Sequence, residues 1–250
     1  MAQGIATFPP LPAFHTSFLG RERELTEIAR LVSDPGVRLV TLVGIGGVGK
    51  TRLAIEVARQ VDTIFDGHVI FLSFAAAGVQ ESVIEHIARV AGITNTNVQD
   101  LPRAIVATFD RGPVLLVLDN LEHLLDQAAT IGRLLSQDGN VTVLATSRAP
   151  LEIRGEHVML VDPFPIPGNV EQLAVDELRA LDAIRLFEER ARSVQHDFQI
   201  GQANATAVAA ICRRLDGLPL AVELAAARSR MLAPAVLLAR LDRPLEALRS

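Results

Sequence analysis

Eight consecutive residues, Gly44-Ile45-Gly46-Gly47-Val48-Gly49-Lys50-Thr51, bring together three kinds of chemistry at one place in the chain. The glycines let the backbone take angles that turn several N–H groups toward one anion. Lys50 offers a compact ammonium that can reach β- and γ-phosphates, and Thr51 a hydroxyl that can ligate Mg2+. A helix beginning at Lys50 adds its positive dipole end. The spacing predicts a phosphate-binding loop for a purine nucleoside triphosphate or diphosphate, ATP or ADP. Candidate contacts are Gly44, Gly46, Gly47, Val48, Gly49, Lys50 and Thr51, with Arg52 next along the helix. The competing reading is a Gly-rich turn that binds nothing; an apolar strand before it and an apolar helical stripe after it argue against that.

Of 24 basic residues, Lys50 is the single lysine and all the others are arginine. A chain that otherwise uses only the guanidinium keeps an ammonium where this loop requires one.

Val114-Leu115-Leu116-Val117-Leu118-Asp119 supplies a carboxylate at the end of an apolar run. At the carboxyl end of a parallel strand, such a group lies where open α/β sheets bind ligands and can hold Mg2+. The alternative is that Asp119 caps the following helix. Paired with the loop, the metal role is the stronger reading. Thr146-Ser147-Arg148 ends the next strand, and Arg148 could contact a γ-phosphate and so tell triphosphate from diphosphate. Otherwise Arg148 is a surface residue paired with Glu152. Glu122 could orient an attacking water or be a solvated carboxylate in a first helical turn.

The elements that must position these residues follow from periodicity. Strands are predicted at Arg38–Val43, Val69–Phe74, Val114–Asp119, Val141–Thr146 and His157–Val161. Helices are predicted up to Val32, over Arg52–Val61, Glu81–Ala91, Gln99–Asp110 and Leu121–Leu135. Apolar strands alternating with helices imply an α/β fold, a five-stranded parallel sheet covered on both faces. Pro163, Pro165, Pro167 and Gly168 interrupt the pattern, and everything after them is helical. The expected organisation is an extended arm at 1–17, a P-loop domain at 18–165 and a small helical domain at 166–250.

Composition limits the partners. A net charge of −5, with no Trp or Tyr, argues against direct nucleic-acid binding by these residues. No apolar run approaches the roughly 20 residues a membrane span needs. A single cysteine, Cys212, on an apolar helical stripe reads as core in a reducing compartment, and no secretory signal is seen; the expectation is cytoplasmic. The six histidines show no metal-ligand spacing.

The order of motifs resembles that of the NB-ARC-type ATPases, members of the STAND class of signal-transducing P-loop ATPases. The residues that carry the resemblance are Phe18-Leu19-Gly20-Arg21-Glu22-Arg23-Glu24, Gly44–Thr51, Leu116-Val117-Leu118-Asp119-Asn120, Ala145-Thr146-Ser147-Arg148 and Gly217-Leu218-Pro219-Leu220-Ala221. They span about residues 15–245. The look is nearest to the bacterial branch found in large LuxR- or SARP-like transcriptional regulators. The resemblance implies Leu19 and Arg21 near the adenine, Pro219 packed on the nucleotide from the helical domain, and a nucleotide between the two domains. It also implies a switch in which ADP holds a closed monomer and ATP accompanies opening and oligomerisation.

Two departures shape the expectation. Many relatives carry a second acidic residue where this chain has Asn120, so slow hydrolysis or plain nucleotide retention is expected. Relatives continue into a winged-helix domain and sensor repeats, whereas this chain stops at Ser250; a fragment of a larger regulator or a short stand-alone member is expected. The leading expectation is a regulatory ATP/ADP switch with slow Mg2+-dependent ATPase chemistry and further domains or an effector as partners. The alternative is a stand-alone ATPase or a small-molecule kinase with ordinary turnover.

Overall fold

The computed structural model describes residues 10–75, 82–93, 97–109, 112–137 and 139–246. The arm expected at 1–17 is thus described only from Pro10 onward, and the first residue of the expected Glu81–Ala91 helix and the last of the expected Gln99–Asp110 helix lie outside the described residues.

Five parallel strands, β1 (Leu39–Val43), β2 (Val69–Ser73), β3 (Val114–Asp119), β4 (Val141–Ser147) and β5 (Glu156–Leu160), form one sheet in the order β2-β3-β4-β1-β5. The three central strands are buried along their whole length, in keeping with their largely apolar, β-branched composition. Pleating divides their side chains. Leu39, Leu116, Leu118, Val143 and Ala145 face a core shared with α3 (Val83–Val90), α4 (Leu101–Thr108) and α5 (Ala128–Leu135) through Ile84, Ile87, Ile105, Ile131 and Leu134. The alternate residues Val40, Leu42, Leu115, Val117 and Leu144 are buried on the other face, where α1 (Glu22–Val32) and α2 (Lys50–Val61) pack. Truncating a residue such as Leu116 to Ala would cost about 2–5 kcal/mol.

One expected element is replaced. The single helix predicted over Leu121–Leu135 is instead two short 3-10 turns, Leu121–His123 and Leu125–Gln127, followed by α5. Asn120 is left-handed at φ 65° and Leu124 has φ −128°, so neither can sit in a helix. The Gln127 carboxamide is drawn away to accept from the Val83 backbone N–H at 2.9 Å, where it satisfies the start of α3. Of the leucines at the start of that predicted stripe, Leu121 is buried, Leu124 is partly buried and Leu125 is exposed, because the 3-10 turns rotate them off a common face.

Contact density separates two compact units: residues 1–44 with 50–161, and residues 45–49 with 162–250. The second contains α6 (Val175–Arg179), α7 (Asp182–Val194), α8 (Ala205–Arg214), α9 (Pro219–Ala226) and α10 (Pro234–Glu246). Ile184, Phe187 and Ala191 of α7 and Val208, Ile211 and Cys212 of α8 form its core, with the Phe187 and Phe198 rings 5.9 Å apart. A buried carboxylate organises the centre: Glu188 Oε1 accepts from Arg192 Nη2 at 2.7 Å and from the Ile200 N–H at 3.1 Å. Pro219 occupies the first turn of α9, where its missing N–H costs nothing. That helix ends at Ala226 and passes into a 3-10 turn.

Candidate functional site

The sheet order decides which strand ends meet. β4 runs between β1 and β3, so the carboxyl ends of these three strands bring Gly44, Asp119 and Thr146–Arg148 to one edge. The loop leaving β1 is tied to β4 by the Gly44 N–H, which donates to the Ser147 carbonyl at 3.3 Å. It then delivers Lys50 and Thr51 as the first residues of α2.

Lys50 is 7 % exposed, and its ammonium donates to the Gly44 carbonyl at 2.7 Å. Burial lowers its pKa below the ordinary lysine value; Glu122 opposes that shift, Arg148 adds to it, and Asp119 opposes it. These four residues therefore share one electrostatic neighbourhood. The Thr51 hydroxyl donates to Asp119 Oδ1 at 2.7 Å, and the Thr146 hydroxyl donates to the same oxygen at 2.8 Å. Thr146 in turn accepts from the Asn120 N–H at 2.9 Å. Asp119, Thr146 and Ser147 are all buried. Thr51 and Asp119, the two candidate metal ligands, thus lie in hydrogen-bond contact. No α-helix starts at Leu121 for Asp119 to cap.

The residues suit a small divalent cation by donor type. Thr51 and Asp119 present a hydroxyl and a carboxylate oxygen in direct contact, the hard oxygen donors that Mg2+ takes. Among the described residues no group of three or more His, Cys, Asp or Glu could hold a metal. A cation here would thus complete its shell with water and phosphate, as Mg2+ commonly does.

Arg148 pairs with Glu122, Nε to Oε1 at 3.1 Å, and not with Glu152. Its side chain is 61 % exposed whereas that of Glu122 is 11 % exposed. Arg21 is buried in the left-handed region at φ 66°, following Gly20 at φ 68°, and holds Glu24 at 2.9 Å. Leu19 is half-buried beside it. Arg52 is engaged elsewhere: its guanidinium lies 4.0 Å from the Phe14 ring centroid, donates to the Thr16 carbonyl at 2.7 Å and contacts Glu56 at 2.8 Å. In the second unit, the residue after Pro219 donates to the loop, Leu220 N–H to the Gly47 carbonyl at 3.1 Å. Gly47 has φ 78°, which favours glycine, and a Cβ there would lie a tight 3.1 Å from that of Leu220.

Sequence reasoning passed over Thr146, which mattered there only as the neighbour of Arg148. The available signal was a hydroxyl near the end of a strand buried along its whole length, where a buried hydroxyl needs a partner.

Residues 21–157 match the NB-ARC domain family. An uncharacterised protein of Mycobacterium tuberculosis is 39% identical over 228 residues, covering 91% of this chain and 54% of that protein. The regulatory protein AfsR of Streptomyces griseus is 30% identical over 230 residues, covering 87% of this chain and 21% of that protein. The chain thus spans about half of the first relative and about a fifth of the second. Among solved structures, the Walker-type ATPase PABY2304 of Pyrococcus abyssi superposes with a TM-score of 0.59 at 14% identity, covering 93% of this chain and 73% of that one, which is likeness of fold. With a P-loop, an aspartate at the end of a neighbouring strand and a family match over more than half its length, this chain belongs to the NB-ARC domain family.

Proposed function

We propose that this chain is the ATP/ADP-binding module of a larger regulatory protein, a nucleotide switch with slow Mg2+-dependent ATP hydrolysis. The observation that carries this is the contact of the Thr51 hydroxyl with Asp119, beside the buried Lys50 ammonium at the start of α2. It gathers a helix N-terminus, one cation and two hard oxygen donors, the parts that bind a polyphosphate with its metal. Gly44, Gly46, Gly47, Val48 and Gly49 would supply backbone to the phosphates, and Leu19, Arg21 and Pro219 would contact the remainder of the nucleotide. Thr51 and Asp119 would hold Mg2+, which would supply charge neutralisation of the phosphates. Arg148 would answer to the γ-phosphate. Arg52, held by Phe14, Thr16 and Glu56, would act by fixing the segment before α1 to the loop helix.

The regulatory part of the proposal draws on the relatives, one of which is named a regulatory protein and is several times longer than this chain. The domains at 18–165 and 166–250, further C-terminal domains or an effector, oligomerisation in the ATP state and a cytoplasmic location belong to the same proposal. No described helix is long and apolar enough to cross a membrane.

Calorimetric titration with ADP and ATP in the presence of Mg2+, together with phosphate release in the same samples, tests it. The expected result is tight ADP binding, lost in Lys50→Ala, with turnover well below about 1 s⁻¹, under the usual range for phosphoryl-transfer enzymes. Fast release without any partner would make the protein a working enzyme. Absence of nucleotide binding would end the proposal.

A further inference from the structure

Asp119 is committed to Thr51 and Thr146, and the next residue, Asn120, carries a carboxamide that cannot accept a proton at neutral pH. Glu122 is another carboxylate that the chain brings toward this edge. It arrives there because Asn120 turns left-handed and the chain folds into the Leu121–His123 turn instead of starting a helix. Its side chain is 11 % exposed, and its two oxygens differ. Oε1 accepts from Arg148 Nε at 3.1 Å, while Oε2 is buried with no hydrogen-bond partner among the described residues. A buried anionic oxygen without a donor is costly, so its surroundings favour arrival of an O–H. Its charge also opposes the lowering of the Lys50 pKa, and more strongly than that of Asp119 does.

The partner that restrains Glu122 is easily removed. Arg148 is mostly exposed, and the contact is made through Nε, without the two-pronged geometry that makes guanidinium–carboxylate pairs strong. A γ-phosphate offers that guanidinium more negative charge and more acceptor oxygens than one carboxylate oxygen.

Resting on the nucleotide reading above, we infer that Glu122 is the general base for ATP hydrolysis, and that Arg148 restrains it until a γ-phosphate draws the guanidinium away. In the reaction a water oxygen forms a bond to the γ-phosphorus, and the bond from that phosphorus to the bridging oxygen of the β-phosphate breaks. Glu122 takes a proton from the water and later returns it to solvent. ADP and inorganic phosphate leave, and nothing is oxidised or reduced. The same ion pair then serves two purposes. With diphosphate bound it keeps the base occupied, and with triphosphate bound it releases base and sensor together.

The test compares the full chain with Glu122→Gln and Arg148→Met, each verified as folded by circular dichroism and thermal melting. ADP and a non-hydrolysable ATP analogue are titrated calorimetrically with Mg2+, and phosphate release from ATP is followed separately. Glu122→Gln is expected to lower release at least about 100-fold, the scale of a lost general base, and to leave ADP affinity within about twofold. It should also tighten the ATP analogue several-fold, because Arg148 no longer shares its charge with a carboxylate. Arg148→Met should abolish any preference for the triphosphate. Phosphate release by Glu122→Gln within threefold of the parent would overturn the inference, as would equal weakening of both nucleotides. A parent chain that binds nucleotide but releases no phosphate overturns the base assignment and leaves the switch standing. A parent chain that binds neither nucleotide overturns both.

Discussion

Thr146 donates its hydroxyl to Asp119 Oδ1 at 2.8 Å, from the end of β4 to the end of β3. That oxygen is also the acceptor for Thr51, so one buried hydroxyl from a neighbouring strand sets the orientation of the carboxylate that α2 uses. Thr146 also accepts the Asn120 N–H and thereby holds the left-handed turn from which Glu122 projects. Thr146 is a positioning residue, acting through Asp119 and Asn120.

Replacing it with Val keeps the shape and removes both bonds, leaving the part-buried Asn120 N–H without its acceptor. A loss of about 1–3 kcal/mol is expected in urea denaturation, with Thr146→Ser recovering most of it. On the proposed function, nucleotide affinity in Mg2+ should fall while affinity in EDTA changes little. Equal losses with and without metal would show that the hydroxyl does not act through Asp119.

The segment before α1 is held to the phosphate-loop helix by two arginines. Arg52 stacks on Phe14 and bonds to Thr16, and Arg59 donates to the Pro12 carbonyl at 2.5 Å. Exposed stacking of this kind contributes about 0.5–1 kcal/mol. Phe14→Ala should lower global stability by no more than about 1 kcal/mol while speeding hydrogen exchange and proteolysis at residues 10–18. Unchanged exchange in that segment would mean that the ring does not anchor it.

Gly217 offers a sharper backbone test. It sits at φ 64°, and a Cβ would meet the Phe164 carbonyl oxygen at 2.0 Å, while its own carbonyl accepts the Phe164 N–H at 3.0 Å. Neither partner is a flexible side-chain end. Gly217→Ala combines a left-handed penalty of about 1–2 kcal/mol with a clash the backbone must absorb. Thermal melting should show a loss of at least about 2 kcal/mol. A near-neutral result would contradict the position of Phe164 against this turn.

Cys212 predicts a pH effect of definite sign. Burial raises its thiol pKa from the ordinary 9.0 to about 12. Between those values the unfolded chain loses the proton and the folded chain keeps it, so the folded state binds more protons and stability falls as pH rises. The group's contribution is complete below pH 9 and declines at up to about 1.4 kcal/mol per pH unit above it. Urea midpoints measured from pH 8 to 10.5 should fall less steeply in Cys212→Ala than in the parent. Parallel slopes would show that the thiol ionises as readily folded as unfolded. Thiol-specific reagents should label the folded protein slowly throughout.

The chain's covalent order was enough to point to much of the candidate site. The spacing of Gly44–Thr51 specifies a phosphate-loop geometry because backbone angles and helix start are local properties. The unbroken apolar run Val114–Leu118 marks a central strand because only a strand buried on both faces tolerates it. Asp119 at its end and the lone Lys50 were legible for the same local reasons. The tertiary structure alone decided what those residues touch. Sheet order is a matter of long-range pairing, and only after β4 is set between β1 and β3 does Thr146 meet Asp119. The break of the Leu121–Leu135 pattern into 3-10 turns goes with a contact between Gln127 and Val83, 44 residues away, which no local period encodes. Arg148 and Glu122, 26 residues apart in the chain, become partners by the same route. Local periodicity reports burial and backbone preference; the identity of a charge's partner is settled when distant strand ends are brought to one edge.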